Sequence, residues 1–189
     1  MKKIPSLFIS TNDHVITREV NPLCQWVIDG EGKPTAKLDG SACAVIDGEL
    51  YKRYDNSKAV GQDRRAQKCT PLNSWIPCGG STERDAYLYW IPVRHMDYYH
   101  QIAWGWAQGL LMDGTYELVG PQVQDNPHKF DHNILMQHGS IHLRYPNPRH
   151  FDEIEHYLRT KCEYEGIVWH HPDGRMCKIT KKKFGIAWP

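Results

Sequence analysis

Two short turn signals constrain the fold of this chain more than any other feature of its sequence. Asp47-Gly48 separates the apolar runs 42–46 and 50–54, and Pro172-Asp173-Gly174 separates two similar runs near the other end. Asp-Gly dipeptides adopt the positive backbone angles that a two-residue antiparallel hairpin requires. The sequence therefore predicts a protein built around antiparallel β-sheets.

Other segments complete a mixed pattern. Residues 87–93 are aromatic and β-branched, and residues 110–119 indicate a strand, a turn at Gly114 and a second strand. Apolar residues recur at helical spacing in 95–111 and 152–162, which predicts two helices. We therefore expect an α+β fold. A chain of 189 residues can bury a core of its own, so we expect one domain spanning residues 1–189.

Composition limits the classes of function. The net charge is +1, with 40% hydrophobic and 24% charged residues, so nucleic-acid affinity would have to come from local patches. The apolar runs are shorter than the roughly 20 residues of a membrane span, and the N-terminus does not resemble a secretory signal. The six cysteines form no CxxC pair, which favours thiols in a reducing, cytoplasmic compartment over zinc or disulfides.

The tetrapeptide Lys37-Leu38-Asp39-Gly40 indicates chemistry at a lysine. A lysine amine becomes a nucleophile when desolvation or nearby positive charge lowers its pKa. Asp39 would then serve as a polar partner near a ribose, and Gly40 would allow close approach of the backbone to a nucleotide. The alternative is a surface turn with a solvated lysine.

Two strand segments downstream carry candidate nucleotide ligands. Lys52 and Arg53 are adjacent in a predicted strand, so only one of them faces a pocket. Arg53 is the better candidate, because its planar guanidinium can bridge hydroxyl and phosphate oxygens. Glu117 lies within a hydrophobic strand and would accept hydrogen bonds from a ribose if it faces a pocket. Both could instead be exposed strand residues.

The last third of the sequence adds an acid and a group of lysines. Glu165 offers the hard carboxylate oxygen that Mg²⁺ prefers, and Ile167 with Val168 could form an apolar wall for a flat base. Lys178 lies in an apolar strand one hairpin away from Glu165. Lys181, Lys182 and Lys183 form a cationic run, which is usually a solvated face but could contact phosphates.

Taken in order, these segments resemble the motifs of the covalent nucleotidyltransferase superfamily, which contains polynucleotide ligases and mRNA capping enzymes. More narrowly, the chain is similar to the small ATP-dependent 5′-to-3′ RNA ligases of vertebrates and to their short phage and bacterial homologues. This similarity extends from about Val20 onward. The stretches that carry it are Trp90–Val93, Gly114–Pro121, Gln137–Ser140 and Phe184–Pro189.

The resemblance implies an adenylation domain of antiparallel sheets flanked by helices, without an appended oligonucleotide-binding domain. It implies ATP as a substrate, Mg²⁺ or Mn²⁺ as a cofactor, and RNA with 5′-phosphate and 3′-hydroxyl ends, joined in RNA repair. Lys37 would carry AMP and Glu165 would organise the metal. His138 would stack on adenine and Lys178 would contact the α-phosphate. The residues implied to bind the nucleotide are Asp39, Gly40, Arg53, Glu117, His138, Val168 and Lys178.

Two departures from the family pattern bear on substrate binding. The second lysine expected two residues after Lys178 is Thr180, so Lys181 or Lys182 would have to replace it. Without an appended domain, which we do not expect here, the RNA ends would need another holder, and the long loop 55–82, with Arg64-Arg65 and Lys68, is a candidate for that role.

Three other functions stay open at this point. A capping-type guanylyltransferase would use GTP, and a DNA ligase would join nicked DNA. A catalytically inert nucleic-acid-binding module would need neither Glu117 nor Glu165. The sequence does not define the oligomeric state, the host or the natural RNA substrate, although the short homologues make a phage-encoded protein one expectation.

Overall fold

The computed structural model describes residues 3–11, 15–56, 72–79, 87–107, 109–143 and 147–189. The basic loop residues Arg64, Arg65 and Lys68, predicted to hold the RNA ends, lie outside this part of the chain. The elements are, in chain order, β1 (Phe8–Ser10), β2 (Ile16–Val20), α1 (Gln25–Ile28), β3 (Lys33–Lys37), β4 (Ser41–Ile46), β5 (Glu49–Asp55), β6 (Ile76–Pro77), β7 (Leu88–Pro92), α2 (Tyr98–Ala107), β8 (Gly114–Val119), β9 (Ile134–Gln137), α3 (Phe151–Thr160), β10 (Gly166–His170) and β11 (Met176–Thr180). Short 3-10 turns occupy Pro22–Cys24 and Lys181–Phe184.

The chain is organised in two compact units, and the first is built from Gly40–His138. Its sheet has the strand order β6-β7-β5-β4-β8-β9, and every neighbouring pair is antiparallel. Helix α2 covers one face, where Ala103 packs with Cys43, Leu50 and other buried residues. The predicted hairpin turn between β4 and β5 is confirmed, because Asp47 and Gly48 have φ angles of 52° and 75°.

The second unit combines Ile4–Asp39 with Gly139–Pro189. Strand β10 lies in the middle of a three-stranded antiparallel sheet, between β11 and β3, and β1 pairs with β2 in a separate ribbon. Alternation along β10 sends Ile167 and Trp169 into the core, which α3 covers with Ile154 and Leu158. Val168 therefore points to the opposite face of this sheet.

The structure confirms an α+β fold of antiparallel sheets with few helices, and both predicted hairpins are present. The strand predicted for 110–113 is wrong. These residues connect α2 to β8, beginning after Gly109, whose φ of 80° suits the end of a helix. Helix α2 itself begins at Tyr98 and is shorter than the predicted 95–111. Among the described residues, the helices lack the length and apolar character that crossing a bilayer requires.

Candidate functional site

The sequence-predicted site residues fall into two groups, one in each unit. Arg53, Gly40, Glu117 and His138 belong to the first unit. The other predicted residues belong to the second unit: Lys37, Asp39, Glu165, Val168, Lys178, Lys181 and Lys182.

Lys37 is the last residue of β3 and forms an ion pair with Glu165. It lies opposite Gly166 of β10, and its amine also donates to the Leu38 carbonyl oxygen at 3.2 Å. Both side chains are largely covered, with 23% of Lys37 and 19% of Glu165 exposed. The chain thus places the predicted nucleophile against the predicted metal ligand, a contact that the sequence analysis did not anticipate.

The backbone fixes the position of Glu165. Its N–H donates to the Lys37 carbonyl at 3.1 Å, and its own carbonyl accepts from the Lys181 N–H at 2.9 Å. The next residue is Gly166, where a Cβ atom would lie 2.1 Å from the Ile179 carbonyl oxygen. Glycine here permits the close approach of β11 that brings the Glu165 carboxylate beside Lys37.

Burial dominates the electrostatics of Glu165. Desolvation raises the pKa of this carboxyl, the Lys37 ammonium opposes that shift, and Asp39 adds to it while Lys178 lowers it. The carboxyl therefore holds a proton more readily than a solvated glutamate does. Its coupling to Asp39 and Lys178 also shows that these predicted residues belong to one electrostatic neighbourhood.

Lys178 and Val168 lie directly opposite each other on β11 and β10, on the sheet face that also carries Lys37. Val168 is only 8% exposed, so little of it is open to a base in this structure. The suggested wall of Ile167 and Val168 is wrong for Ile167, which is fully buried in the core on the other face.

The run of lysines after β11 is not uniform. Lys181 is buried, donates to the Cys162 carbonyl oxygen at 2.7 Å, and lies 4.4 Å from the centre of the Trp188 ring. These internal contacts argue against Lys181 as the replacement for the lysine missing at Thr180. Lys182 is exposed and keeps that possibility.

Asp39 has a partner that the sequence did not indicate. Its Oδ2 accepts a hydrogen bond of 2.9 Å from the indole N–H of Trp188. The stretch Phe184–Pro189 carried part of the family resemblance, but no role was assigned to its tryptophan. The structure thus makes Trp188 a contact of both Asp39 and Lys181.

In the first unit, the strand register places Arg53 and Glu117 on one face of the sheet. Ala42 lies opposite Glu117, and its neighbour Cys43 lies opposite Lys52, so alternation leaves the small Ala42 between the two charged residues. Lys52 points to the other face, where it forms an ion pair with Asp97 just before α2. This arrangement agrees with the choice of Arg53 over Lys52 as the pocket-facing residue.

Glu117 and His138 form a pair rather than acting separately. His138 Nε2 lies 2.7 Å from Glu117 Oε2, and the two side chains are 22% and 13% exposed. Gly40 packs closely against β8, since a Cβ atom there would lie 2.2 Å from the Leu118 carbonyl oxygen. The neighbouring strand by itself therefore requires glycine at this position.

The carboxylates suit a magnesium ion held mainly by a substrate. Within the described residues, no three carboxylate, histidine or cysteine side chains converge as a ready metal cage. Glu165 and Asp39 are nonetheless close enough for Asp39 to raise the pKa of Glu165. Mg²⁺ commonly binds one or two protein carboxylates and takes its other ligands from phosphates and water, so the residues present fit that mode.

Comparison with known proteins identifies relatives for the second half of the chain. Residues 107–189 match the family model of RNA ligase 1. Curated RNA ligase 1 proteins of Danio rerio and Pongo abelii are 36% and 34% identical to the chain, over 42% of this chain and 26% of each relative. The aligned part thus spans about a quarter of the length of these relatives. The predicted resemblance to the RNA ligase family is confirmed by these matches.

The family match includes only some of the candidate site residues. Those inside residues 107–189 are Glu117, His138, Glu165, Val168, Lys178, Lys181 and Lys182, and those outside are Lys37, Asp39, Gly40 and Arg53. Geometry connects the two sets within the second unit, because the ion pair joins Lys37 to Glu165.

Proposed function

We propose that this chain, whose residues 107–189 match the RNA ligase 1 family, is an ATP-dependent RNA ligase with the adenylation fold. The observation that carries the proposal is the ion pair between Lys37 and Glu165, which places a partly buried lysine against the matched part of the chain. Lys37 is thereby held on a sheet face beside a largely covered carboxylate and a second lysine, Lys178.

The first step joins AMP to the enzyme. The Lys37 amine, once deprotonated, attacks the α-phosphorus of ATP; a P–N bond forms, the bond to the β-phosphate oxygen breaks, and pyrophosphate leaves. Glu165 holds the amine at this position beforehand, and Lys178 on the same face offers positive charge to the α-phosphate. Glu165 and Asp39 would hold Mg²⁺ or Mn²⁺, which neutralises phosphate charge when bound.

Two further transfers complete ligation. A 5′-phosphate oxygen of RNA attacks the adenylate phosphorus, the P–N bond breaks, and the Lys37 amine is released. A 3′-hydroxyl then attacks the RNA phosphate, a phosphodiester forms, and AMP leaves. In the first unit, Glu117 with His138, and Arg53 on the same sheet face as Glu117, would contact ribose and phosphate oxygens. A role in RNA repair within a reducing cell compartment is part of the same proposal.

Intact-protein mass spectrometry tests the first step. Wild type, Lys37→Ala and Lys33→Ala are incubated with ATP or GTP and Mg²⁺. Lys33 is the matched control, because it is an exposed lysine of the same strand. We expect an AMP-sized mass gain in wild type and Lys33→Ala and none in Lys37→Ala. A GMP-sized gain would instead indicate a capping-type enzyme, and no adduct with either nucleotide would contradict the proposal.

The second measurement is ligation itself. Purified enzyme and ATP are given a single-stranded RNA that carries a 5′-phosphate and a 3′-hydroxyl, with the corresponding DNA as the control. We expect RNA circles or dimers that fail to form with Lys37→Ala. Joining of the DNA in preference to the RNA would contradict the assignment of RNA as substrate.

A further inference from the structure

A cavity in the second unit lies outside the set of residues that the proposed chemistry uses. Its volume is about 660 Å³, within the usual range of ligand pockets. It is formed by the start of β2, the first turns of α3, the end of β11 and the 3-10 turn that follows. The side chains that matter here are Phe151, Glu155, Thr180, Lys182, Lys183 and Phe184.

The aromatic part of the cavity is firmly supported. The rings of Phe151 and Phe184 lie 5.0 Å apart and are tilted by 59°, and Phe151 also meets the buried Phe8 edge-on at 5.0 Å. Both Phe151 and Phe184 remain partly exposed. The Arg18 guanidinium lies 4.5 Å from the centre of the Phe151 ring and covers part of it, so Phe184 and the remaining part of Phe151 form the flat apolar surface that a nucleobase requires.

The charged part of the cavity is positive. Lys182 is exposed, and Lys183 is held by a hydrogen bond of 2.8 Å from its amine to the Ser10 hydroxyl. Glu155, the acidic residue among the described lining residues, pairs with Arg159 at 2.9 Å and is thereby neutralised locally. Aromatic rings beside two ammonium groups complement a base attached to a phosphate.

The cavity also lies near the proposed nucleophile within the same unit. Thr180 of β11 lines the cavity and pairs with Gly166 of β10. Gly166 in turn pairs with Lys37 of β3, so two strand spacings separate the Thr180 and Lys37 backbones. Two spacings amount to about 10 Å. The Lys37 backbone thus lies two strands from the cavity, and its side chain is on the sheet face opposite the one that α3 covers.

We propose that this cavity binds a nucleotide of single-stranded RNA, with the base against Phe151 and Phe184 and a phosphate against Lys182 and Lys183. The inference rests on the proposed ligase function and adds a holder for the RNA strand. It also gives Lys182 a role in RNA binding that does not depend on contact with ATP.

The test separates RNA binding from adduct formation. The variants are Lys182→Glu, Phe184→Leu and, as the control, Lys161→Glu, an exposed lysine of the same unit away from the cavity. The binding probe is a 5′-phosphorylated, 12-nucleotide RNA with an internal fluorophore, followed by fluorescence anisotropy at several salt concentrations. Adduct formation with ATP is measured on the same samples by mass spectrometry, and thermal unfolding shows that each variant is folded.

We expect Lys182→Glu and Phe184→Leu each to weaken RNA binding about five-fold or more, while Lys161→Glu does so far less. The slope of log Kd against log salt should fall by about 0.7 for Lys182→Glu, because one phosphate contact is lost. Adduct formation should stay at the wild-type level in Phe184→Leu and in Lys161→Glu, so Phe184→Leu separates RNA binding from adduct formation.

The other possible results would contradict either the assignment of the cavity to RNA or the proposed function. Unchanged RNA affinity in both cavity variants overturns the assignment even where the adduct forms normally. Parallel loss of adduct formation would assign the cavity to ATP. Binding of an acidic peptide to the cavity without any displacement of RNA would assign the cavity to a protein partner. Absence of the adduct in wild type would refute the proposed function alone, and anisotropy would still decide whether the cavity binds RNA.

Discussion

At the scale of single residues, the Lys37–Glu165 pair joins two predictions that the sequence had kept apart. The tetrapeptide around Lys37 indicated a nucleophile, and the carboxylate of Glu165 indicated a metal ligand. Local sequence could not show that they touch, because they are separated by 128 positions and meet through the pairing of β3 with β10. The sequence therefore indicated both residues as candidates, but it could not indicate their contact.

The raised pKa of Glu165 predicts a specific pH dependence of stability. A carboxyl that binds its proton more tightly when folded stabilises the protein below its unfolded pKa and loses that contribution as pH rises through the folded pKa. The Glu165→Gln variant has no carboxyl at this position, so it does not lose this stabilisation as pH rises. We expect its unfolding free energy, relative to wild type, to increase from pH 4 to pH 7.

Urea unfolding at several pH values measures this difference. Glu163→Gln, at an exposed neighbouring position, is the matched control for the loss of a carboxylate. A difference between Glu165→Gln and wild type that stays constant across the range would show that the Glu165 pKa is not raised in the folded protein.

Adjacent lysines should differ in their effect on stability. Lys181→Ala removes a buried amine that donates to the Cys162 carbonyl and contacts the Trp188 ring. We expect a loss of about 1–3 kcal/mol in unfolding free energy. Lys182→Ala, at an exposed position, should change it by less than about 0.5 kcal/mol. Chemical denaturation of both variants makes the comparison, and equal effects would contradict the internal role of Lys181.

At the scale of elements, turn chemistry was the most predictive signal. Asp47-Gly48 and Pro172-Asp173-Gly174 gave two hairpins because the residues at a tight turn determine its backbone angles locally. Strand β3 was missed, since Lys33, Pro34 and Lys37 are unusual strand residues. Its stability as a strand comes from β10, which local patterns cannot reveal.

The centre of the second sheet should tolerate no side chain at Gly166. An added Cβ would lie 2.1 Å from the Ile179 carbonyl oxygen and 2.8 Å from the Thr180 Cα, both backbone atoms. Gly166→Ala must therefore separate β10 from β11, and we expect a loss of about 2 kcal/mol or more together with reduced adduct formation.

Gly105→Ala is the matched control for that substitution. Gly105 lies in α2, has no atom within 4 Å of an added Cβ, and should gain about 0.5–1 kcal/mol from its helix position. Thermal and urea unfolding of both variants provide the comparison. Equal stability of Gly166→Ala and wild type would mean that the two strands approach less closely than described.

At the scale of the whole molecule, the reactivity of buried thiols shows whether each unit is folded. Burial raises the pKa of Cys43, in the first unit, to about 12, and burial also raises the pKa of Cys162 in the second. At pH 8 a thiol with a pKa near 12 is ionised in about one molecule in 10,000. We expect iodoacetamide to modify neither residue in the native protein, whereas the partly exposed Cys78 reacts faster.

Peptide mapping by mass spectrometry after timed alkylation measures these rates. Added urea should bring Cys43 and Cys162 to the rate of Cys78 as each unit unfolds. Rapid native-state modification of Cys43 would contradict the tight packing of the first sheet against α2.

The pairing of β3 with β10 also bears on when the protein can become active during its synthesis. Lys37 leaves the ribosome early, but Glu165 and the strand that aligns it are translated 128 residues later. Contacts between such distant segments form slowly, because a long loop must close first. Under the proposed function, a nascent chain would therefore carry Lys37 without the partner that positions it, and the proposed reaction with ATP would begin only once translation has passed β10.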